Sequence, residues 1–214
     1  MSAEAVIAAW LARFKQRPGT GGPGAPQAQP NRAAARGALG EALVAGAIRD
    51  LGWPALRNVV LRMRGASTEI DLIARAPATL LVLEVKTWSG YIQGGASAAD
   101  WRRHGADGQI MIVPNAVRQN QTHVAVLQRA IADPGIPVIG MVVGVGHARF
   151  APELASHIVK ADELPSVLAR VRGNQELDPR RLDKAWAFLV REARRSPKRL
   201  AAHIAQIQAK SSDF

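Results

Sequence analysis

The run Leu80-Leu-Val-Leu-Glu-Val-Lys86 constrains this chain more than any other segment. Four consecutive aliphatic residues describe a central strand buried on both faces, yet Glu84 and Lys86 interrupt it two positions apart, and side chains two apart on a strand share one face. A buried charge is costly unless it is paired or bound to a cation. The preceding sequence supplies a partner. Glu69 to Ala74 and Thr79 to Thr87 are β-rich runs separated by an Ala76-Pro77 turn, so pairing through that turn carries the Asp71 carboxylate towards Glu84. Two carboxylates and a lysine at one strand end then have two readings. One is an ordinary ion pair at a sheet edge; the other is an oxygen-donor site for a hard divalent cation, Mg²⁺ or Mn²⁺. The second matches the needs of phosphodiester cleavage, in which a water is activated and charge developing on phosphate oxygens is neutralised.

The rest of the chain places that segment. Residues 3–17 carry Val6, Trp10 and Phe14 at i+4 steps and read as an N-terminal amphipathic helix (1–17), and the Pro/Gly-rich stretch 18–30 reads as a flexible tether. Ala33 to Leu51 is an Ala-rich helix with Gly52 as its stop. Val59 to Leu61 and the two runs above form an antiparallel meander, and Trp88 to Ile92 continues as a short strand or loop. Asn115 to Ile131 returns to helical spacing, and Pro137 to Val145 is a buried strand that a β–helix–β crossover lays parallel to an earlier one. The C-terminal third predicts helices over Asp162 to Arg172, Pro179 to Arg195 and Lys198 to Lys210, the last two separated at Ser196-Pro197.

Composition narrows the classes. The 214 residues include 28 Lys+Arg against 17 Asp+Glu, a formal charge of +11, and the positive field attracts polyanions such as nucleic acid. There is no cysteine, which excludes a disulfide scaffold, thiolate metal sites and a thiol nucleophile, and fits a reducing cytoplasm. The longest uncharged apolar run, Pro134 to Gly146, is too short and too broken for a membrane helix, and no secretory leader is read at the N-terminus.

Four segments in order resemble the nuclease-related domain family of the PD-(D/E)xK nuclease superfamily. They are Gly40-Glu41, Glu69-Ile-Asp71, Leu83-Glu-Val-Lys86 with Trp88-Ser-Gly90 behind it, and Asn115-Ala-Val-Arg-Gln119-Asn120, together spanning roughly residues 37 to 145. Leu72 stands where the family often has His, and Pro114-Asn115-Ala116 where it has Asn-Pro. The resemblance implies an α/β, restriction-endonuclease-like core with a mixed central sheet flanked by helices, over residues 31–160; the helical spacing and charge beyond it predict a basic helical C-terminal extension over 161–214. The resemblance also implies a divalent-metal-dependent nuclease in which Glu41, Asp71 and Glu84 bind the metal, Lys86 is catalytic and Gln119 adds a polar contact; the substrate does not carry over from the family.

Plainer uses remain open for several of these residues. Glu41 also suits a solvated helix face, and Asn115 and Gln119 suit capping of the helix that starts there. The five histidines show no i, i+4 ligand pairing and read as structural or exposed. On the helix from Pro179, Leu182, Trp186 and Leu189 form a packing stripe, while Arg180, Arg181, Lys184, Arg191, Arg194 and Arg195 form either a solvated basic face or a phosphate-contacting surface. DNA is expected rather than RNA, because aromatic residues for an RNA-binding surface are few. The N-terminal helix is expected to dock on a protein partner, a second copy or the body rather than on a membrane. The rival to an enzyme is a nucleic-acid-binding or assembly protein that keeps the fold without catalysis.

Overall fold

The computed structural model describes residues 29–212 apart from 64, 65 and 172. The helix expected over 1–17 and nearly all of the expected tether lie outside the described residues; Gln29 and Pro30 already open the first helix, α1 (Gln29–Asp50). Gly52 stops it as expected. Its φ of 72° is costly for other residues, and its N–H bonds the Arg49 carbonyl at 2.8 Å.

The anticipated meander follows as β1 (Ala55–Met63), β2 (Ala66–Ala76) and β3 (Thr79–Lys86), antiparallel in sequence. After an excursion the chain forms α2 (Ala116–Ile131) and crosses to β7 (Val138–Gly144), which pairs in parallel with β3. A further strand, β9 (Ile158–Lys160), pairs in parallel with β7, which gives a five-stranded mixed sheet in the order β1-β2-β3-β7-β9. Because β3 is central, helices cover both of its faces. Leu81 and Leu83 pack with Val44 and Ile48 of α1 and with Leu164 and Leu168 of α4 (Leu164–Ala169), whereas Leu80 and Val82 pack with Leu127 of α2 and Leu182 and Leu189 of α5 (Pro179–Ser212). This is the strand alternation read from the sequence, buried on both sides.

Two features differ from the expectation. The excursion between β3 and α2 is a second sheet rather than one short strand or loop: β4 (Tyr91–Gln93), β5 (Asp100–His104) and β6 (Ile110–Pro114) pair antiparallel, and β8 (Arg149–Phe150) joins β4 in parallel. Asp100-Trp-Arg-Arg-His104 hides its strand character because only Trp101 is buried, with Ile92 and Ala116 in a third apolar cluster. A one-turn helix, α3 (Pro152–Ala155), leads from β8 into β9, and the helix expected over Asp162 to Arg172 shortens to α4.

The second difference lies at the C-terminus, where α5 runs through Pro197 without the expected break. An internal proline costs a helix about 3 kcal/mol. Contacts to the sheet offset it. Val60, on the edge strand β1, donates its N–H to buried Ser196 Oγ at 2.9 Å and accepts at its carbonyl from Arg199 at 3.2 Å. Ser196 also donates to the Glu192 carbonyl at 3.0 Å, and Glu192 pairs with Arg199, so both polar groups of Val60 find partners in the helix on either side of the proline. This occupies an edge that exposed backbone would otherwise offer to other chains. Ser196→Ala leaves the Val60 N–H buried and unpaired, and is expected to lower the free energy of unfolding by about 1–3 kcal/mol in urea titrations.

Candidate active site

The site begins with an irregularity shared by β1 and β2. Their ladder pairs Arg57 with Leu72 and Val59 with Ile70 but leaves Asn58 and Asp71 between them unpaired. Leu56 and Val59 face the same apolar cluster, as do Ile73 and Ile70, although each pair is three residues apart. Both strands therefore skip one residue of alternation at the same point. Asn58 takes it up with a φ of 52°, a conformation that Asn tolerates better than most residues. On the other side, the ladder between β2 and β3 ends at Leu72 and Leu83. Asp71, just past that end, replaces the missing strand contact with its side chain: Oδ2 accepts from the Val85 N–H at 2.8 Å.

The end of β3 and one face of α2 complete the site. Glu84 is 1% exposed, with Lys86 Nζ 2.5 Å from its Oε1 and His123 Nδ1 3.2 Å from its Oε2. Lys86 Nζ also donates to Gln119 Oε1 at 3.1 Å. Two positions along a strand and four along a helix are matching spans, so Glu84 and Lys86 meet His123 and Gln119 as two facing pairs. Asn115 sets where that helix starts. Its Oδ1 accepts from the N–H groups of Val117 and Arg118, and its Nδ2 donates to the carbonyls of Ala96 and Ala98 at 2.9 and 2.7 Å. Asn115 thus caps the helix, whereas Gln119 reaches the lysine.

Glu41 approaches from α1. A Cβ on Gly40 would lie 2.5 Å from Thr87 Cγ2, so only glycine lets the helix sit this close to the end of β3. Glu41 is engaged by Arg57, with Nη2 to Oε2 at 3.1 Å. Of the three expected metal ligands, Asp71 and Glu84 come together and Glu41 lies at electrostatic range of Asp71. Among the described residues, no three His, Cys, Asp or Glu side chains form one metal-sized group.

The two carboxyl groups are shifted in opposite directions. Burial, followed by the Glu84 charge, pushes the Asp71 carboxyl from 3.8 up to about 7 against the opposing Val85 N–H and Lys86. Burial also acts to raise Glu84, but the approach of His123 and the charge of Lys86 outweigh it and hold this carboxyl below its ordinary value. Neighbouring carboxyls shifted in opposite directions are a feature of functional sites.

The nuclease-related domain profile matches residues 36–145, just over half of the chain and the span that contains every residue of this cluster. The chain belongs to the nuclease-related domain family. No curated protein matches it. The crystal structure of a protein of unknown function, AF1548, is similar to it over 79% of this chain and 97% of that one, at 11% identity and a TM-score of 0.38.

A nuclease-related function accounts for a donor set that suits a divalent cation. Both Glu84 oxygens are buried without a hydrogen bond although Lys86 and His123 approach them, and burial beside Glu84 disfavours ionisation of Asp71. A hard cation between such carboxylates relieves both conditions. His123 is the member of this nuclease-related domain cluster that the sequence reading missed. It has no histidine partner at i+4; its informative spacing is to Gln119, four residues earlier. Of the C-terminal cations, Arg181 pairs with Asp133, Arg195 with Glu192, and Arg191 lies 5.9 Å over the Phe188 ring; Arg180, Lys184 and Arg194 are exposed.

Asp71 makes stability depend on pH. Its carboxyl titrates near 3.8 unfolded and about 7 folded, so its favourable contribution is complete below the lower value and is lost as pH rises through the upper one. In EDTA, Asp71→Asn is therefore expected to be more stable than wild type above about pH 7, by about 1–3 kcal/mol, with the difference shrinking towards pH 4. Thermal unfolding of both proteins across this range checks it; parallel profiles would contradict the assignment.

Proposed function

We propose that this chain is a divalent-metal-dependent nuclease that hydrolyses phosphodiester bonds in DNA. The observation that carries the reading is the meeting of Asp71, Glu84 and Lys86 where β2 parts from β3, in a chain of the nuclease-related domain family. Asp71 and Glu84 hold Mg²⁺ or Mn²⁺, with Glu41 as a third carboxylate once it leaves Arg57. The bound ion supplies neutralisation of phosphate charge and acidification of a coordinated water.

The remaining roles belong to the protein. Lys86 places its ammonium where charge develops on the phosphate oxygens and orients the attacking water. Gln119 fixes the lysine from the helix, and His123 holds the Glu84 carboxylate charged and correctly turned. Residues 31–160 form the catalytic body, and 161–214 extend it with Arg180, Lys184 and Arg194 as candidate phosphate contacts. The net charge of +11 draws the polyanion in, and the absence of cysteine fits action in the cytoplasm.

One observation favours the rival reading of a non-catalytic DNA-binding or assembly protein: Lys86 and His123 already balance Glu84 without any ion. Incubation with supercoiled and linear DNA in Mg²⁺, Mn²⁺ or EDTA separates the two. Wild type is expected to cut only with metal, and Glu84→Ala and Lys86→Ala to lose on the order of 100-fold or more in rate. Salt-sensitive binding without turnover in any metal would instead support the rival. Equal cleavage by wild type and both variants would show that the activity is not at this site.

A further inference from the structure

The second sheet presents a face that the proposed chemistry does not use. Pairing puts Tyr91 opposite His104 and Arg149, His104 opposite Ile110, and Arg102 opposite Ile112, and directly opposed residues lie on one face of a sheet. The other face carries Ile92, Trp101 and Phe150, which pack in the apolar cluster beneath. The first set is therefore the outer face. Ile110 is 59% and Ile112 64% exposed, and Arg102 and Arg149 are exposed as well. The Tyr91 and His104 rings lie side by side, with centroids 5.9 Å apart. The ion pairs among the described residues engage Arg57, Arg75, Arg181, Arg195 and Arg199, and Arg102 and Arg149 take part in none of them.

We infer that this face, built on Tyr91, His104, Arg102 and Arg149 with Ile110 and Ile112 beside them, binds single-stranded DNA and leads it to the site at Lys86. The inference rests on the proposed nuclease reading. Three observations carry it. Rings and aliphatic side chains flanked by cations match the two parts of a single strand, whose bases offer flat apolar faces and whose phosphates offer charge. A duplex hides its bases and does not engage such a platform in the same way. Asp100, at one corner, is the carboxylate on the strands of this face. The face is also tied to the site: Tyr91 is five residues beyond Lys86, at most about 17 Å of chain, and Asn115 bonds the β4–β5 loop to the helix that carries Gln119.

Binding in EDTA tests the inference without requiring cleavage. The probes are a fluorescein-labelled oligo-dT and a duplex of equal length, titrated by anisotropy at several salt concentrations with the full chain. Tyr91→Ala is expected to weaken oligo-dT binding about tenfold while changing duplex binding little, and Tyr91→Phe to stay near wild type. Arg102→Ala combined with Arg149→Ala, both exposed positions, is expected to flatten the salt slope for oligo-dT by about 1.4. Unchanged oligo-dT affinity in these variants would overturn the inference, as would equal loss for both probes. Ile112→Ser that converts a dimer to a monomer in sedimentation, with oligo-dT affinity intact, would assign the face to self-association instead. Failure of the nuclease reading gives a different pattern: wild type does not cut, but the Tyr91→Ala effect persists.

Discussion

A buried carboxylate at the end of an apolar strand is the constraint around which this molecule is arranged. Glu84 lies on β3, the central strand of the main sheet, and leaving it unpaired would cost several kcal/mol. The surrounding elements converge on it. β3 supplies Lys86, α2 supplies His123, and β2 departs from the ladder so that Asp71 reaches the next backbone N–H. The arrangement compensates one charge while confining another: Glu84 is held ionised, and Asp71, beside it, is held against ionisation. On the proposed reading, the second carboxylate is there to share a cation with Glu84.

The periphery serves the same centre. Glycine at position 40 brings α1 within contact of the β3 end, and Asn115 ties the start of α2 to the loop of the second sheet. On the far edge, α5 satisfies both polar groups of Val60 and contributes Leu182 and Leu189 to the core. The C-terminal helix is thus part of the packed body, with Arg181, Arg195 and Arg199 in ion pairs and Arg180, Lys184 and Arg194 exposed.

How much of this could be read beforehand follows from what local sequence encodes. The β1-β2-β3 meander, the helix from Asn115 and the parallel strand after it were legible, because two-sided burial leaves continuous apolar runs and a cap leaves its own signature. The second sheet was not. Its strands are only two to five residues long, and in β5 a single buried tryptophan among polar residues gives no period. Ser196-Pro197 read as a break because local propensity forbids an internal proline, and only tertiary contacts to Val60 reverse that. In the site, Glu84, Lys86 and Asp71 stood out as charges within apolar strands. His123 did not, since its significance depends on a strand more than thirty residues earlier, and the shared irregularity at Asn58 and Asp71 shows only once the strands are paired.

On the proposed reading, Asp71 and Glu84 form a cation site. Titration of Mn²⁺ into metal-free protein, followed by the loss of its free electron-spin-resonance signal, measures this without substrate. We expect one ion to bind per chain in wild type, with affinity falling sharply in Glu84→Gln, which keeps the side-chain volume but removes the charge. Equal Mn²⁺ binding by wild type and Glu84→Gln, or none by either, would contradict the central claim.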